Sequence, residues 1–105
     1  MIKDLQDLRR ELDGIDDRLA GLFRRRLEVV DEIAVAKRGT GVPVNVPSRE
    51  REILSRVSDI AGDGFESDVC RLFSSIFEVS RARQIAAKNA PLTRGGHFGY
   101  TETTT

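Results

Sequence analysis

The chain has 105 residues, the size of one ordinary domain, and its 17 Lys+Arg balance 17 Asp+Glu to a formal net charge of zero. That balance lacks the basic excess of a general nucleic-acid binder, and 39% hydrophobic with 32% charged residues describes an amphipathic helical protein rather than a disordered one. The lone cysteine, Cys70, allows no intrachain disulfide and fits a reducing cytoplasm, where it reads as a small buried hydrophobe. The start, Met1-Ile2-Lys3-Asp4, opens straight into a charged helical pattern, so neither a signal peptide nor a membrane-spanning run is expected.

The first element is the clearest. Leu5, Leu8, Leu12, Ile15, Leu19, Leu22, Val29 and Ile33 keep three-four spacing once position 26 is admitted, which predicts a helix over about residues 4–38. Gly14 and Gly21 inside it suggest close approach of another helix, because each costs about 1 kcal/mol relative to alanine. Gly39, Gly41 and Pro43 end it. A second helix is predicted from Ser48, as N-cap, to about Ala61, with Ile53, Leu54, Val57 and Ile60 as its apolar face. Gly62-Asp63-Gly64 forms a turn. A third helix spans about residues 66–89, with Val69, Leu72, Phe73, Ile76 and Phe77 on one side, and Pro91 closes it. These elements make residues 1–90 one helical domain. Residues 91–105, with Gly95-Gly96 and a run of threonines, read as a flexible tail or the stub of a linker.

The fold class is therefore all-α, and the length of the first helix adds a constraint. About 35 residues at about 1.5 Å each give roughly 52 Å. A compact globule of this size has a diameter of roughly 33 Å. The protruding leucine seam calls for a partner helix, most simply that of a second copy, which gives an intertwined helical homodimer.

The apolar stripes carry polar residues where apolar ones belong. In the first helix the stripe runs Leu19, Leu22, Arg26, Val29, Ile33, Lys37. Arg26 and Lys37 are eleven residues apart, which brings them within about 20° of one direction and about 16 Å apart along the axis. In the second helix Glu50 falls on the face of Leu54 and Val57, where a surface helix does not usually put a carboxylate. In the third, Ser80 and Gln84 continue the stripe of Phe73 and Phe77. Buried charges must be paired or meet a ligand. Each residue alone has an ordinary explanation: a snorkelling arginine, a carboxylate at a helix start, cross-helix hydrogen bonds. Together, two cations, a carboxylate, a hydroxyl and an amide suit a small polyanion that also carries a hydroxyl. His97 is the only histidine, and no Ser/His/Asp, Cys/His, metal-ligand or phosphate-loop pattern is present. The face is suited to binding and electrostatics, with no cofactor and no metal.

These residues resemble the all-helical class of chorismate mutase. The likeness extends from about residue 5 to about residue 88. It rests on Leu8-Arg9-Arg10-Glu11-Leu12-Asp13-Gly14-Ile15-Asp16, Leu22 to Arg26 and Ala34 to Lys37; on Pro43-Val44 and Arg49-Glu50-Arg51; and on Leu72-Phe73, Ile76, Glu78, Ser80 and Gln84. The resemblance implies a pericyclic rearrangement of chorismate to prephenate in the branch leading to phenylalanine and tyrosine. Such a step uses orientation and electrostatics and needs neither acid-base nor covalent chemistry.

By the same resemblance, Arg26 would clamp a substrate carboxylate and Lys37 would reach the ether oxygen and a carboxylate. Gln84 would donate to the same ether oxygen, and Glu50 would accept from the ring hydroxyl, aided by the backbone at Arg49. Ser80 would bind the ring carboxylate. Arg9 would be a second carboxylate clamp supplied across the dimer. Geometry agrees on Arg9, which lies about 25 Å before Arg26 along the helix and cannot share its pocket within one chain. The loop departs from the family, with Asn45-Val46 where members often carry an acidic residue. An isochorismate-pyruvate lyase of the same fold is the alternative enzyme, disfavoured by the acidic Glu50. A non-catalytic helical dimer is the alternative binding module, disfavoured by the polar seam. Mutase domains of this class are often fused to a prephenate dehydratase, a prephenate dehydrogenase or a synthase of the shikimate pathway, so a fusion or complex with such an enzyme is also implied.

Overall fold

The structure is a computed structural model, and it describes residues 2–43 and 46–89. The expectations for the tail 91–105, for His97 and for Val44 and Asn45 lie outside the described residues. Three helices follow in order: α1 (Leu5–Lys37), α2 (Pro47–Ala61) and α3 (Glu66–Asn89). They match the three expected from periodicity.

The helix ends follow local chemistry. Asp4 caps α1 by accepting from the Asp7 backbone N–H at 2.8 Å. After Lys37 the chain enters a left-handed turn at Gly39, φ 73°, which a residue with a Cβ would resist. The start of α2 corrects one expectation. Its N-cap is Val46, with no side-chain cap, and Pro47 opens the helix where its missing N–H and fixed φ are tolerated. Ser48 therefore lies inside the first turn rather than capping it.

Hydrogen bonds give the topology. Arg26 meets Ser80, Asp31 meets Arg83, Lys37 meets Gln84 and Arg38 meets Ala87, in ascending order, so α1 and α3 run the same way. Glu50 meets Arg81 and Ser58 meets Cys70, in descending order, so α2 runs back along α3. Among the described residues α1 and α2 each pack on α3 and not on each other. The helix α3 is thus the middle of a sheet of helices, and α1 and α2 flank it.

This layer is one helix thick. Its extents are 58 × 34 × 15 Å and its radius of gyration is 17.5 Å, against about 13 Å for a compact globule of similar length. The core is correspondingly small. Ile53, Val57 and Phe77 form its buried cluster, with Leu54, Val69 and Phe73 packed against it. Phe73 and Phe77 meet edge-on at 6.1 Å. Val30 and Ala34 are the buried apolar residues of α1. Two expected core residues lie outside it: Ile60 is 75% exposed at the far end of α2, and Leu72 is half exposed on the side of α3 away from α2. The first half of α1 protrudes, so Leu8, Leu12 and Leu22 remain 49%, 56% and 68% exposed. At Gly14 and Gly21 an added Cβ meets nothing within 4 Å, so no close approach occurs there within one chain.

One buried ion pair joins α1 to α3. Asp31 accepts from Arg83 Nε at 3.0 Å and Nη2 at 2.6 Å. The Asp31 side chain is 9% exposed and that of Arg83 31%. Removing one partner of a fully buried pair costs about 3–5 kcal/mol; here the arginine can partly rehydrate, so about 2–3 kcal/mol is expected. Asp31→Ala should lower the urea midpoint accordingly. A midpoint indistinguishable from that of the parent would show that the pair does not hold α1 on α3.

Candidate active site

Because α1 and α2 diverge over α3, a cleft of about 490 Å³ opens between them. That lies in the ordinary range for a small-molecule site. Apolar side chains, Val29, Val30, Ile33, Ile53, Phe73 and Phe77, form much of its lining. Onto this surface project the polar residues singled out in the sequence: Arg26 and Lys37 from α1, Arg49 and Glu50 from α2, and Gln84 from α3. The second half of α1 puts both cations at the cleft, and the first turn of α2 places Glu50 there as well.

Arg26 donates from Nη1 to Ser80 Oγ at 2.9 Å, and its guanidinium lies 5.8 Å from the Phe77 ring centroid. Burial lowers its pKa from the ordinary arginine value, and the like charge of Arg49 lowers it further. An arginine remains protonated regardless. The direction shows a cation held in a cation-rich, partly desolvated place. Among the described residues no carboxylate is paired with it, so the site favours an anion from outside.

Ser80 is buried, and its single proton goes to the Ile76 carbonyl oxygen at 2.8 Å. Toward Arg26 it can only accept. In this arrangement Ser80 donates back to its own helix and accepts from Arg26. Lys37 donates to Gln84 Oε1 at 3.4 Å and to the Pro43 carbonyl oxygen at 3.1 Å. Arg49 lines the cleft, but its Nη1 goes to Glu52 at 3.0 Å and its backbone N–H to the Val46 carbonyl oxygen at 3.0 Å. Arg9 sits exposed on the protruding half of α1, outside the cleft of its own chain. Val46 is at the rim of the cleft, an apolar group in the position that departs from the family.

Two cleft residues escaped the sequence reading. Arg81 donates from Nη1 to both oxygens of Glu50, at 2.9 and 2.7 Å. Arg56 also lines the cleft. Each lies off the apolar stripe by one residue. The available signal was three-residue spacing: Arg81 precedes Gln84 by three, and Arg56 follows Ile53 by three, which puts each on its neighbour's face. Among the described residues no group of His, Cys, Asp and Glu could hold a metal ion, and no helix is long and apolar enough to cross a membrane.

Residues 8–85 match the family described as chorismate mutase type II, and the chain belongs to that family. It is 28% identical over 86 residues to the chorismate mutase of Methanocaldococcus jannaschii, covering 80% of this chain and 87% of that one. It is 37% identical over 75 residues to the T-protein of Haemophilus influenzae, covering 66% of this chain but only 20% of the T-protein, so it spans about a fifth of that relative. Among solved structures, chorismate mutase from Helicobacter pylori in complex with prephenate matches with a TM-score of 0.72 at 31% identity, over 83% of this chain and 97% of that chain.

Proposed function

We propose that this chain rearranges chorismate to prephenate by holding the substrate folded in the α1–α2 cleft and stabilising the charge that develops as the ether bond breaks. The observation that carries the reading is the juxtaposition of Lys37 and Gln84 across α1 and α3. A lysine ammonium only donates, so the Gln84 atom facing it is the oxygen, and the amide N–H groups point elsewhere. Lys37 Nζ and the Gln84 amide lie side by side at the cleft, so on this reading both can turn to one substrate oxygen. Preorganised donors of this kind stabilise an oxygen that gains negative charge. No proton is transferred, so no group with a pKa near neutrality is needed. Arg26, set by Ser80 and short of a carboxylate partner, takes a substrate carboxylate; Glu50 takes the ring hydroxyl. Loss of chorismate absorbance on adding purified protein tests the reading, and no loss with the folded protein overturns it.

The homodimer belongs to the same reading. A domain buries its apolar faces between at least two layers of secondary structure, and this chain supplies one layer, with Leu8, Leu12 and Leu22 uncovered. A second copy supplies the other layer and brings its own Arg9 toward the cleft as a second carboxylate clamp. Cytoplasmic placement fits, as does work alone, within a longer chain or in complex with another shikimate-pathway enzyme. Sedimentation should show a dimer at micromolar concentration; a stable folded monomer would remove the basis for Arg9 acting in trans. Arg9→Ala and Arg26→Ala chains, each nearly inactive alone, should regain activity when mixed. In a mixed dimer one site carries both defects and the other none, so full exchange returns about a quarter of parental activity. Mixtures as inactive as their parents, with exchange verified, would place Arg9 in cis or outside the site.

Gln84 offers a pH test. Gln84→Glu keeps the shape, but the donor exists only when the carboxyl is protonated. Lys37, 3.4 Å away in the parent, favours the ionised form, so recovery requires acid. The variant should lose about two to three orders of magnitude in rate at neutral pH and recover as pH falls, while the parent varies much less. A flat profile, or activity rising with pH, would show that Gln84 is not the donor.

A further inference from the structure

Glu50 does not stand free in the cleft. One nitrogen of Arg81, from the opposite helix, holds both of its oxygens. Three other cations of the cleft are engaged elsewhere: Arg49 with Glu52, Arg26 with Ser80, Lys37 with Gln84 and Pro43. From this geometry we propose that Arg81 is a positioning residue that presents Glu50 to the substrate's ring hydroxyl. The inference rests on the mutase reading of the site.

The physical case has three parts. First, a glutamate on an exposed first turn samples several rotamers, and a charge-assisted bond from the neighbouring helix selects one of them. The selected one lines the cleft. Second, an ionised carboxylate offers about four lone-pair sites, and one Arg81 nitrogen occupies two. The carboxylate keeps acceptor capacity for a hydroxyl while its direction is fixed. Third, the cleft must receive a dianion. A carboxylate without a partner of its own would compete for Arg26 and Lys37, or repel the substrate. Pairing with Arg81 removes that conflict and leaves the remaining cations for the substrate's carboxylates. Both side chains are partly shielded, at 33% exposed for Arg81 and 26% for Glu50, so the pair is neither a freely solvated surface contact nor a fully buried one. Arg81 acts through Glu50 and is not assigned to the substrate itself.

The test compares chorismate with an analogue that lacks only the ring hydroxyl. The analogue retains the atoms that rearrange. The protein should prefer chorismate in kcat/KM by about tenfold to a hundredfold, the scale of one hydrogen bond to a charged group. Glu50→Gln and Arg81→Met should both bring that ratio close to one, and Arg81→Lys, which still offers a cation, should keep most of it. Turnover of the analogue by Arg81→Met should stay within about threefold of the parent. A role confined to structure, or a direct grip on a substrate carboxylate, would lower both substrates equally and leave the ratio intact; that result overturns the proposal. So does an Arg81→Met variant indistinguishable from the parent on both substrates. If the parent itself turns over neither substrate, the mutase reading fails, and this inference with it. Circular dichroism and thermal midpoints of each variant identify loss of fold, and Arg81→Gln provides a second neutral replacement that keeps a polar head group.

Discussion

The cleft exists because α1 and α2 are both held on α3 and not on each other. Two arginines of α3 reach out to the flanking helices. Arg81 and Arg83 are two residues apart, so they leave the helix about 200° from one another. Arg81 reaches α2 at Glu50, and Arg83 reaches α1 at Asp31. The Asp31–Arg83 pair sets the register of α1, whereas α2 is seated on α3 by Ile53 and Val57 against Phe77. With Asp31 seated on Arg83, Arg26 falls beside Ser80 and Lys37 beside Gln84. Beyond them, Arg38 donates to the Ala87 carbonyl oxygen at 3.0 Å, near the end of α3, where a cation also complements the helix dipole. A one-residue slip would turn Lys37 away from Gln84 by about 100° and separate the two donors the chemistry requires.

The electrostatics follow from that frame. Arg26, Lys37, Arg49, Arg56 and Arg81 line the cleft against the single carboxylate Glu50. Cations this close raise one another's energy, and the lowered pKa of Arg26, from burial first and Arg49 second, is the visible sign. On the proposed mutase reading a dianionic substrate would relieve that repulsion on entering. The apolar floor would lower the local dielectric beneath it and strengthen each contact as the reaction charge grows. A pericyclic step would ask for little else.

Much of this was legible in the sequence because an α-helix converts spacing into direction. The apolar stripe located all three helices, and interruptions at Arg26, Lys37, Glu50 and Gln84 fall in the lining of the cleft, with Ser80 buried behind Arg26. What periodicity cannot see is a residue beside the stripe that reaches a neighbouring helix. Asp31 and Arg83 look like surface charges on their own helices; only the packing of α1 on α3 buries them. Arg81 was hidden in the same way. The serine at 80 was visible, but its contact with Arg26 was not, since that contact exists only once α1 packs on α3. Ser48 misled because a good capping side chain one residue after a proline is outranked by the proline, whose fixed φ suits the first helical position. Ile60 misled because the apolar face of α2 continues beyond the part of α3 that covers it.

A layer one helix thick also changes what stability means for the site. The buried apolar cluster is small and sits under the α2–α3 half of the cleft. The α1 side adds polar contacts to the buried Val30 and Ala34: Arg26 to Ser80, Asp31 to Arg83, Lys37 to Gln84. Polar contacts of this kind each contribute little net stability but are strict in geometry. They therefore define position better than they hold it. Covering the exposed stripe that begins at Leu5 and runs through Leu22 would add hydrophobic force to what Val30 and Ala34 supply. In the proposed dimer the second layer would do more than deliver Arg9. By covering α1, it would keep Arg26 and Lys37 within reach of Ser80 and Gln84, so assembly and the proposed catalytic register would depend on the same leucine seam.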